Sequence, residues 1–188
     1  MRYLELRNRV KENIFTSLDV QKYFPNNSVQ TITTQLYRFA KQNLIVQIKR
    51  ELYCFEKDKV DELELAERLY QPSYISCESA LNYYGIVPDI YQSVTNVTLI
   101  TTKKINNDFG TYLYTKIKPE LFFGFSKQQF SQGSHYAIAF PEKALLDYFY
   151  LRKINKIHDL RLDLKLINKK IYNKFLKQFP PWVQKIKI

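Results

Sequence analysis

Residues 17–55, SLDVQKYFPNNSVQTITTQLYRFAKQNLIVQIKRELYCF, contain two short helical patterns joined by a turn and followed by a hairpin. The helices are predicted over Ser17–Phe24 and Ser28–Lys41, with the turn at 25–27 between them. The hairpin strands are predicted over Leu44–Ile48 and Leu52–Phe55. This order of elements is typical of the winged helix-turn-helix, a module that places its second helix in the major groove of DNA.

The second of these helices is amphipathic. Its apolar residues recur at helical spacing and would seat the helix on a small core: Val29, Ile32, Leu36, Phe39 and Ala40. Ser28 follows the turn directly and is the predicted N-cap, so that the unpaired amides of the first helical turn face outward. Such a helix end can hold a phosphate.

The polar face of this helix and the tip of the hairpin form a predicted DNA-binding surface, called here the recognition surface. Its members are Ser28, Gln30, Thr31, Thr34, Arg38 and Lys41 on the helix, and Lys49 and Arg50 at the hairpin tip, or wing. Short polar side chains near the start of the helix suit the reading of base edges, while basic residues hold phosphates. The alternative is an ordinary amphipathic helix with a solvated face, on which Arg38 and Lys41 are plain surface residues.

The charge of the chain is positive and unevenly distributed. There are 29 Lys and Arg residues against 18 Asp and Glu residues, which gives a net charge of +11. Residues 1–59 carry a net charge of +5, residues 60–100 carry −5 and residues 101–188 carry +11. A positive balance of this size is typical of proteins that bind polyanions, although it does not identify the polyanion.

The chain is predicted to be an α+β protein. Residues 1–57 form the winged helix-turn-helix DNA-binding domain, residues 58–70 a connecting helix, and residues 71–188 a mixed α/β C-terminal domain that ends in basic helices. The predicted elements of this second domain are the helix Ser76–Tyr84, capped by its serine and ended by Gly85, the helix Glu142–Leu151, opened by Pro141, and the strands Val94–Thr102, Gly110–Ile117, Leu121–Ser126 and Tyr136–Phe140.

The C-terminal segment 152–188 is strongly basic, with eleven Lys and Arg residues against two Asp residues. Apolar residues at helical spacing predict a helix with a buried stripe: Ile154, Ile157, Leu160, Leu164, Ile167 and Ile171. The segment could hold DNA backbone, dock an acidic toxin surface, contact RNA, or form a solvated helical face. Phe179 and Trp182 are predicted to pin the end of the chain to the body.

The sequence predicts a cytoplasmic protein without a membrane segment, cofactor or metal. No apolar run is long enough to span a bilayer, and the N-terminal residues lack the apolar stretch of a signal peptide. Cys54 and Cys77 are single and widely spaced, which favours small core residues over a disulfide. Neither His135 nor His158 has the spacing of a metal ligand around it.

We do not expect an enzyme. Glu78, Glu142 and Asp147 would have to converge in one pocket to act as paired carboxylates. The glycines stand too far apart to form a phosphate-binding loop. Lys143 and Asp147 have the spacing of an i,i+4 ion pair, which is worth a few tenths of a kcal/mol on a helix surface.

Four strings beyond residue 70 occur in the order and spacing of a known family. They are SYISCESALNYYGIVP at 73–88, VTLITT at 97–102, KIKPELFFGF at 116–125 and AIAFPEKALLD at 137–147. Preceded by a winged helix, they resemble the AbiEi antitoxins of AbiE-type, or type IV, toxin–antitoxin systems. The resemblance covers about residues 1–151 and weakens toward the C-terminus.

The resemblance implies a bacterial antitoxin of phage defence that represses its own operon. The implied partners are double-stranded DNA of its own promoter and a nucleotidyltransferase toxin encoded beside it. A winged helix that reads an inverted repeat usually does so as two copies, so a homodimer on the DNA is one arrangement that the sequence leaves open. The toxin would be countered directly or indirectly by the segment 71–188 as a whole. No toxin-contacting residue carries over, because the matching strings look structural.

Two other functions stay open at this point. One is a winged-helix transcriptional regulator whose C-terminal domain dimerises or senses a ligand, with no toxin partner. The other is a nucleic-acid-processing enzyme whose turnover would depend on Glu142 or Asp147.

Overall fold

The computed structural model describes residues 1–88, 92–129, 135–157, 160–186 and 188. These residues form a mixed α+β protein, as the sequence predicts. The chain divides into two compact units, the first spanning Met1–Asp61 and the second Glu62–Gln129 with His135–Ile188.

The first unit combines three helices with a small antiparallel sheet. Its elements are α1 (Tyr3–Arg9), β1 (Ile14–Thr16), α2 (Ser17–Tyr23), α3 (Val29–Lys41), β2 (Val46–Lys49) and β3 (Leu52–Cys54), followed by a 3-10 turn at Lys57–Lys59. The strands lie in the order β1-β3-β2, and both pairings are antiparallel. The two helices and the hairpin predicted from the sequence are confirmed within two residues at each end, whereas α1 and β1 were not predicted.

The helices α2 and α3 begin where their N-caps place them. Thr16 accepts the backbone N–H of Asp19, and the Asp19 carboxylate accepts the backbone N–H of Thr16 in return. Ser28 accepts the backbone N–H of Thr31 at 3.1 Å, so the predicted cap of α3 is confirmed.

The core of the first unit is built by side chains from all three helices and the sheet. Its buried members are Leu6, Val10, Phe15, Val20, Phe24, Ile32, Leu36, Phe39, Ile45, Tyr53 and Phe55. From α3 it takes Ile32, Leu36 and Phe39, while Val29 and Ala40 are half-buried at its edge. Burial of one face of α3 leaves the opposite face to solvent.

The second unit is a six-stranded mixed sheet covered by helices. Its elements are α4 (Glu62–Leu69), β4 (Ser73–Ile75), α5 (Cys77–Tyr83), β5 (Ser93–Thr98), β6 (Lys103–Asn107), β7 (Gly110–Lys116), β8 (Phe125–Gln129), β9 (His135–Ala139), α6 (Pro141–Arg152), α7 (Lys169–Leu176) and α8 (Pro181–Gln184), with 3-10 turns at Pro119–Leu121 and Leu164–Leu166. The strand order is β6-β7-β5-β4-β9-β8. Pairs β5/β7 and β4/β9 are parallel, and the other three pairs are antiparallel.

The helix α4 packs on this sheet. Leu65, Ala66 and Leu69 are buried, and the hydroxyl of Tyr114 donates to the carbonyl of Ala66 at 2.6 Å. The segment 58–70, predicted as a connecting helix, thus holds the end of a 3-10 turn in the first unit and a helix of the second unit.

Three predictions for the second unit need correction. The strand predicted over Val94–Thr102 ends at Thr98, and β6 is a separate strand. The strand predicted over Leu121–Ser126 begins only at Phe125, after a 3-10 turn. Ser76 precedes α5 as predicted, but its hydroxyl does not cap the helix and donates to a carboxylate instead.

The predicted helix with a buried stripe beyond Lys153 is wrong for the described residues. The helix α6 ends at Arg152, and Lys153 adopts a left-handed conformation with φ of 55°. Of the predicted stripe, Ile167 is buried, whereas Ile171 is 40% exposed. The helices that do follow, α7 and α8, are short. His158 lies outside the described residues.

Candidate nucleic-acid interface

All eight residues of the recognition surface are exposed on the first unit: Ser28, Gln30, Thr31, Thr34, Arg38, Lys41, Lys49 and Arg50. Six of them share the solvent face of α3, which opposes the buried Ile32, Leu36 and Phe39. A helix of this length extends about 20 Å at 1.5 Å per residue. The surface is therefore an elongated polar ridge.

Side chains at the start of α3 are ordered by local hydrogen bonds. The hydroxyls of Ser28 and Thr31 lie 2.9 Å apart, and the hydroxyl of Thr34 donates to the carbonyl of Gln30 at 2.9 Å. These bonds fix the hydroxyl oxygens in position, and each oxygen retains capacity to accept a further hydrogen bond. Gln30, in the same turn, is exposed.

The C-terminal half of α3 is cationic and carries an exposed aromatic ring. Tyr37 is 50% exposed, and the Nζ of Lys41 lies 5.5 Å from the centre of its ring. Tyr37 was missed by sequence reasoning, although its spacing of three residues from Thr34 places it beside the polar face. It adds a planar surface next to the cations at this end of the helix.

The wing is a tight hairpin. Lys49 pairs with Leu52 across a two-residue turn of Arg50 and Glu51, and Glu51 has a positive φ of 63°. A groove of about 270 Å³ runs between α3 and the hairpin, lined by Tyr37, Ala40, Lys41, Asn43, Ile45, Val46 and Gln47. The strand β2 therefore borders the cationic half of α3.

Two cations of α3, Arg38 and Lys41, differ in their partners from Arg7 and Lys59 of the same unit. Glu56 forms ion pairs with Arg7 and Lys59. By contrast, neither Arg38 nor Lys41 has a carboxylate within ion-pair distance among the residues that the structure describes. Their charge is available to a polyanion.

The second unit holds a buried polar cluster, called here the Lys143 cluster, of Tyr74, Ser76, Lys143 and Asp147. Lys143 and Asp147 form a fully buried ion pair on α6, and the hydroxyls of Tyr74 and Ser76 each donate to the other carboxylate oxygen at 2.8 Å. Lys143 also donates to Tyr74 at 2.8 Å. The predicted spacing is correct, but the pair is in the core, where burial lowers the pKa of Lys143 and raises that of Asp147.

The three acids considered for a carboxylate site are each held by a different partner. Glu78 forms a two-bond ion pair with Arg152, at 2.6 and 2.8 Å. Glu142 accepts the backbone N–H of Asn168 at 2.8 Å, and Asp147 belongs to the Lys143 cluster. These contacts give all three acids a structural task.

A cavity of about 470 Å³ opens beside α4, α5, β5 and β7. Its aromatic lining residues are Tyr83, Phe109 and Tyr112. The hydroxyl of Tyr112 is buried and has no hydrogen-bond partner in the described structure. An orphaned buried hydroxyl is costly.

The residues that the structure describes form neither a candidate metal site nor a membrane-spanning helix. Across the described part of the chain, the His, Cys, Asp and Glu side chains do not gather in groups of three that could hold a metal ion. The described helices are all too short or too polar to cross a bilayer. Cys54 and Cys77 are buried free thiols, which confirms their prediction as core residues.

Comparison with known proteins gives no family for this chain. No family model matches it, and none of the curated proteins compared with it is significantly similar.

Proposed function

We propose that this protein is a DNA-binding transcriptional repressor whose first unit is a winged helix-turn-helix. The observation that carries the proposal is the exposed face of α3, which is polar at its start, cationic at its end and backed by a buried apolar face. The major groove of B-DNA is about 12 Å wide and admits one α-helix. The ridge formed by α3 fits this dimension, and the wing supplies Lys49 and Arg50 at the adjoining tip.

The roles within this surface follow from side-chain chemistry. Gln30 carries a donor and an acceptor on one amide and can make the bidentate contact that distinguishes adenine. Arg38 and Lys41 hold phosphates and contribute affinity without sequence preference. We assign Ser28, Thr31 and Thr34 to hydrogen bonds at base edges or phosphates near the start of α3.

Binding to a duplex of the protein's own promoter tests this assignment. Arg38→Ala and Lys41→Ala should each weaken binding and lower the dependence of log K on log salt by about 0.9, the slope lost with one phosphate contact. Lys11→Ala is the matched control, because Lys11 is exposed on the same unit but outside the recognition surface. Unchanged affinity and salt slope in both α3 variants would refute the assignment.

We further propose that the second unit makes this repressor an antitoxin, acting on a nucleotidyltransferase toxin encoded beside it. The support is the resemblance of residues 73–88 and 137–147 to AbiEi antitoxins. In the structure these strings form β4, α5, β9 and α6, which pack together around the Lys143 cluster. An intact second unit is therefore the part that we expect toxin neutralisation to require.

Growth of cells expressing the neighbouring gene tests the antitoxin role. We expect that gene alone to arrest growth, and both the full-length protein and its Arg38→Ala, Lys41→Ala double variant to restore it. Rescue by the double variant would separate toxin neutralisation from DNA binding. A harmless neighbouring gene, or arrest that the wild-type protein does not relieve, would contradict the antitoxin role and leave the repressor proposal standing.

The cavity around Tyr112 favours a second candidate function, a winged-helix regulator that senses a small polar molecule. Tyr112→Phe removes the orphaned hydroxyl and should leave the folded protein at least as stable. If the cavity is a sensor, promoter binding by the wild type should respond to a metabolite extract, and the Tyr112→Phe variant should respond less. Equal responses would exclude this use of the cavity.

A further inference from the structure

A second cationic and aromatic groove lies on the second unit. It has a volume of about 550 Å³ and is lined by Lys153, Asn155, Trp182, Lys185 and Ile186. The lining comes from the residues that follow α6 and from α8 with the residues after it. We call this the Trp182 groove.

Trp182 is held as a platform. Its ring stacks on Tyr150 with centres 6.0 Å apart and an interplanar angle of 23°, and it remains 39% exposed. Tyr150 in turn meets the buried ring of Phe179 edge-on at 5.9 Å, and Phe179 contacts Phe123. This confirms that Phe179 and Trp182 pin the chain end, and it also fixes the orientation of an exposed indole.

The two lysines of the groove are exposed and lack acidic partners. Among the residues that the structure describes, neither Lys153 nor Lys185 has a carboxylate within ion-pair distance. Lys153 is positioned by the backbone, since its N–H donates to the carbonyl of Phe149 at the left-handed end of α6. The segment 152–188, to which all the lining residues belong, carries a net charge of +9.

We propose that the Trp182 groove binds single-stranded nucleic acid. One base stacks on the exposed face of Trp182, and the flanking phosphates contact Lys153 and Lys185. A fixed aromatic ring in one groove with cations is the combination that nonspecific single-strand binders use. An acidic protein surface would satisfy the lysines, but a nucleotide strand carries a ring for the indole and a phosphate on either side of it in every repeat. A base inside a duplex exposes only its edges.

The site is independent of the recognition surface. It lies on the second unit, and it takes a different form of nucleic acid from the duplex proposed for α3. Trp182 is the only tryptophan of the chain, so its fluorescence reports on this groove alone.

Titration of the full-length protein with oligonucleotides tests the proposal. RNA and DNA single strands of about ten nucleotides, within the site size of such grooves, should quench Trp182 fluorescence. An abasic strand of equal length carries the phosphates without the bases and should quench far less. The difference between the RNA and DNA strands shows which sugar the groove accepts. Equal effects of abasic and base-containing strands, or no quenching by any strand, would overturn the proposal.

Variants separate stacking from charge, with binding followed by the anisotropy of a labelled strand. Trp182→Leu should weaken binding by about 5- to 150-fold, the range for loss of one stacked base, while Trp182→Phe should retain most of it. Lys185→Gln should weaken binding and flatten its salt dependence, whereas the control Lys170→Gln, an exposed lysine of α7 outside the groove, should change it much less. Equal losses in the two lysine variants, an unaffected Trp182→Leu protein, or displacement of the strand by promoter duplex would each contradict a separate site.

Discussion

Replacing Asp147 by asparagine should destabilise the second unit by about 3–5 kcal/mol, the usual cost of removing one partner of a buried ion pair. The carboxylate of Asp147 is fully buried and accepts hydrogen bonds from Lys143, Tyr74 and Ser76. Asparagine keeps the shape and one acceptor oxygen, but it leaves the ammonium of Lys143 without a counter-charge. That ammonium is surrounded by the rings of Tyr74, Phe123 and Phe179, with centres 5.0 to 5.4 Å away. Cation–π contacts recover only part of its lost hydration.

A double variant shows whether the charge or the packing is responsible. Adding Lys143→Met to Asp147→Asn removes the orphaned charge, so the double variant should be more stable than Asp147→Asn alone. Urea unfolding followed by Trp182 fluorescence measures this, because Trp182 lies in the same unit as the pair. The control Glu120→Gln alters an exposed carboxylate of that unit and should change the free energy of unfolding by less than about 0.5 kcal/mol.

The pH dependence of the free energy of unfolding also tests this explanation. Burial already lowers the pKa of Lys143 in the wild type, and loss of Asp147 lowers it further. Between the lowered pKa of the folded variant and the ordinary value of about 10.4, the unfolded chain binds a proton that the folded variant has released. In this window the stability of the variant rises with pH, and more than that of the wild type, in which Lys143 keeps its counter-charge. The gain should approach about 1.4 kcal/mol per pH unit. A pH-independent difference, or additive effects of the two substitutions, would refute the account of a costly unpaired charge.

Gly124→Ala should destabilise the second unit, since Gly124 has φ of 70° and an added Cβ would lie 3.0 Å from Cγ of Lys143. Thermal unfolding measures the loss of stability. A Tm at the wild-type value would contradict this packing. The thiols of Cys54 and Cys77 should react with a disulfide reagent only after denaturation, because burial raises the pKa of Cys54 to about 11 and that of Cys77 well above its ordinary value. Stoichiometric reaction of the native protein would contradict this prediction. Burial raises the pKa of Tyr172 to about 12. Since the folded state then keeps a proton that the unfolded chain loses above about pH 10, stability should fall as the pH rises past that point, and Tyr172→Phe, tested by urea unfolding, should lessen the fall.

Sequence periodicity was sufficient to predict the helices and the hairpin of residues 17–55, because the signals that define these elements are local. Ser28 caps the helix that it begins, and the apolar spacing of Ile32, Leu36 and Phe39 identifies the buried face. The strand β1 was not foreseen, since three residues are too few to show an alternating pattern and its place is set by pairing with the distant β3. The recognition surface could therefore be predicted as a set, while Tyr37 was overlooked because only polar and basic residues were counted toward that face.

Nonlocal contacts account for the errors in the second unit. Ser76 occupies a capping position, yet the backbone N–H of Ser79 is satisfied by Thr95 of the neighbouring strand, which frees the Ser76 hydroxyl for Asp147. In the tail, isoleucine spacing predicted a helix, but the chain turns at the left-handed Lys153 instead. Spacing alone cannot show such a turn, since a lysine offers no local reason for positive φ.

The burial of Lys143 and Asp147 was nevertheless encoded in the helix that carries them. An i,i+4 pair on a surface helix needs a polar face to lie on, and α6 has none. Its apolar residues surround the whole circumference of the helix: Ala144, Leu145, Leu146, Tyr148, Phe149, Tyr150 and Leu151. A helix that is apolar all round is buried, and charges on it must be paired within the core. The same spacing that gives a few tenths of a kcal/mol in water thus places a full ion pair at the centre of the second unit, where removal of one partner should cost several kcal/mol.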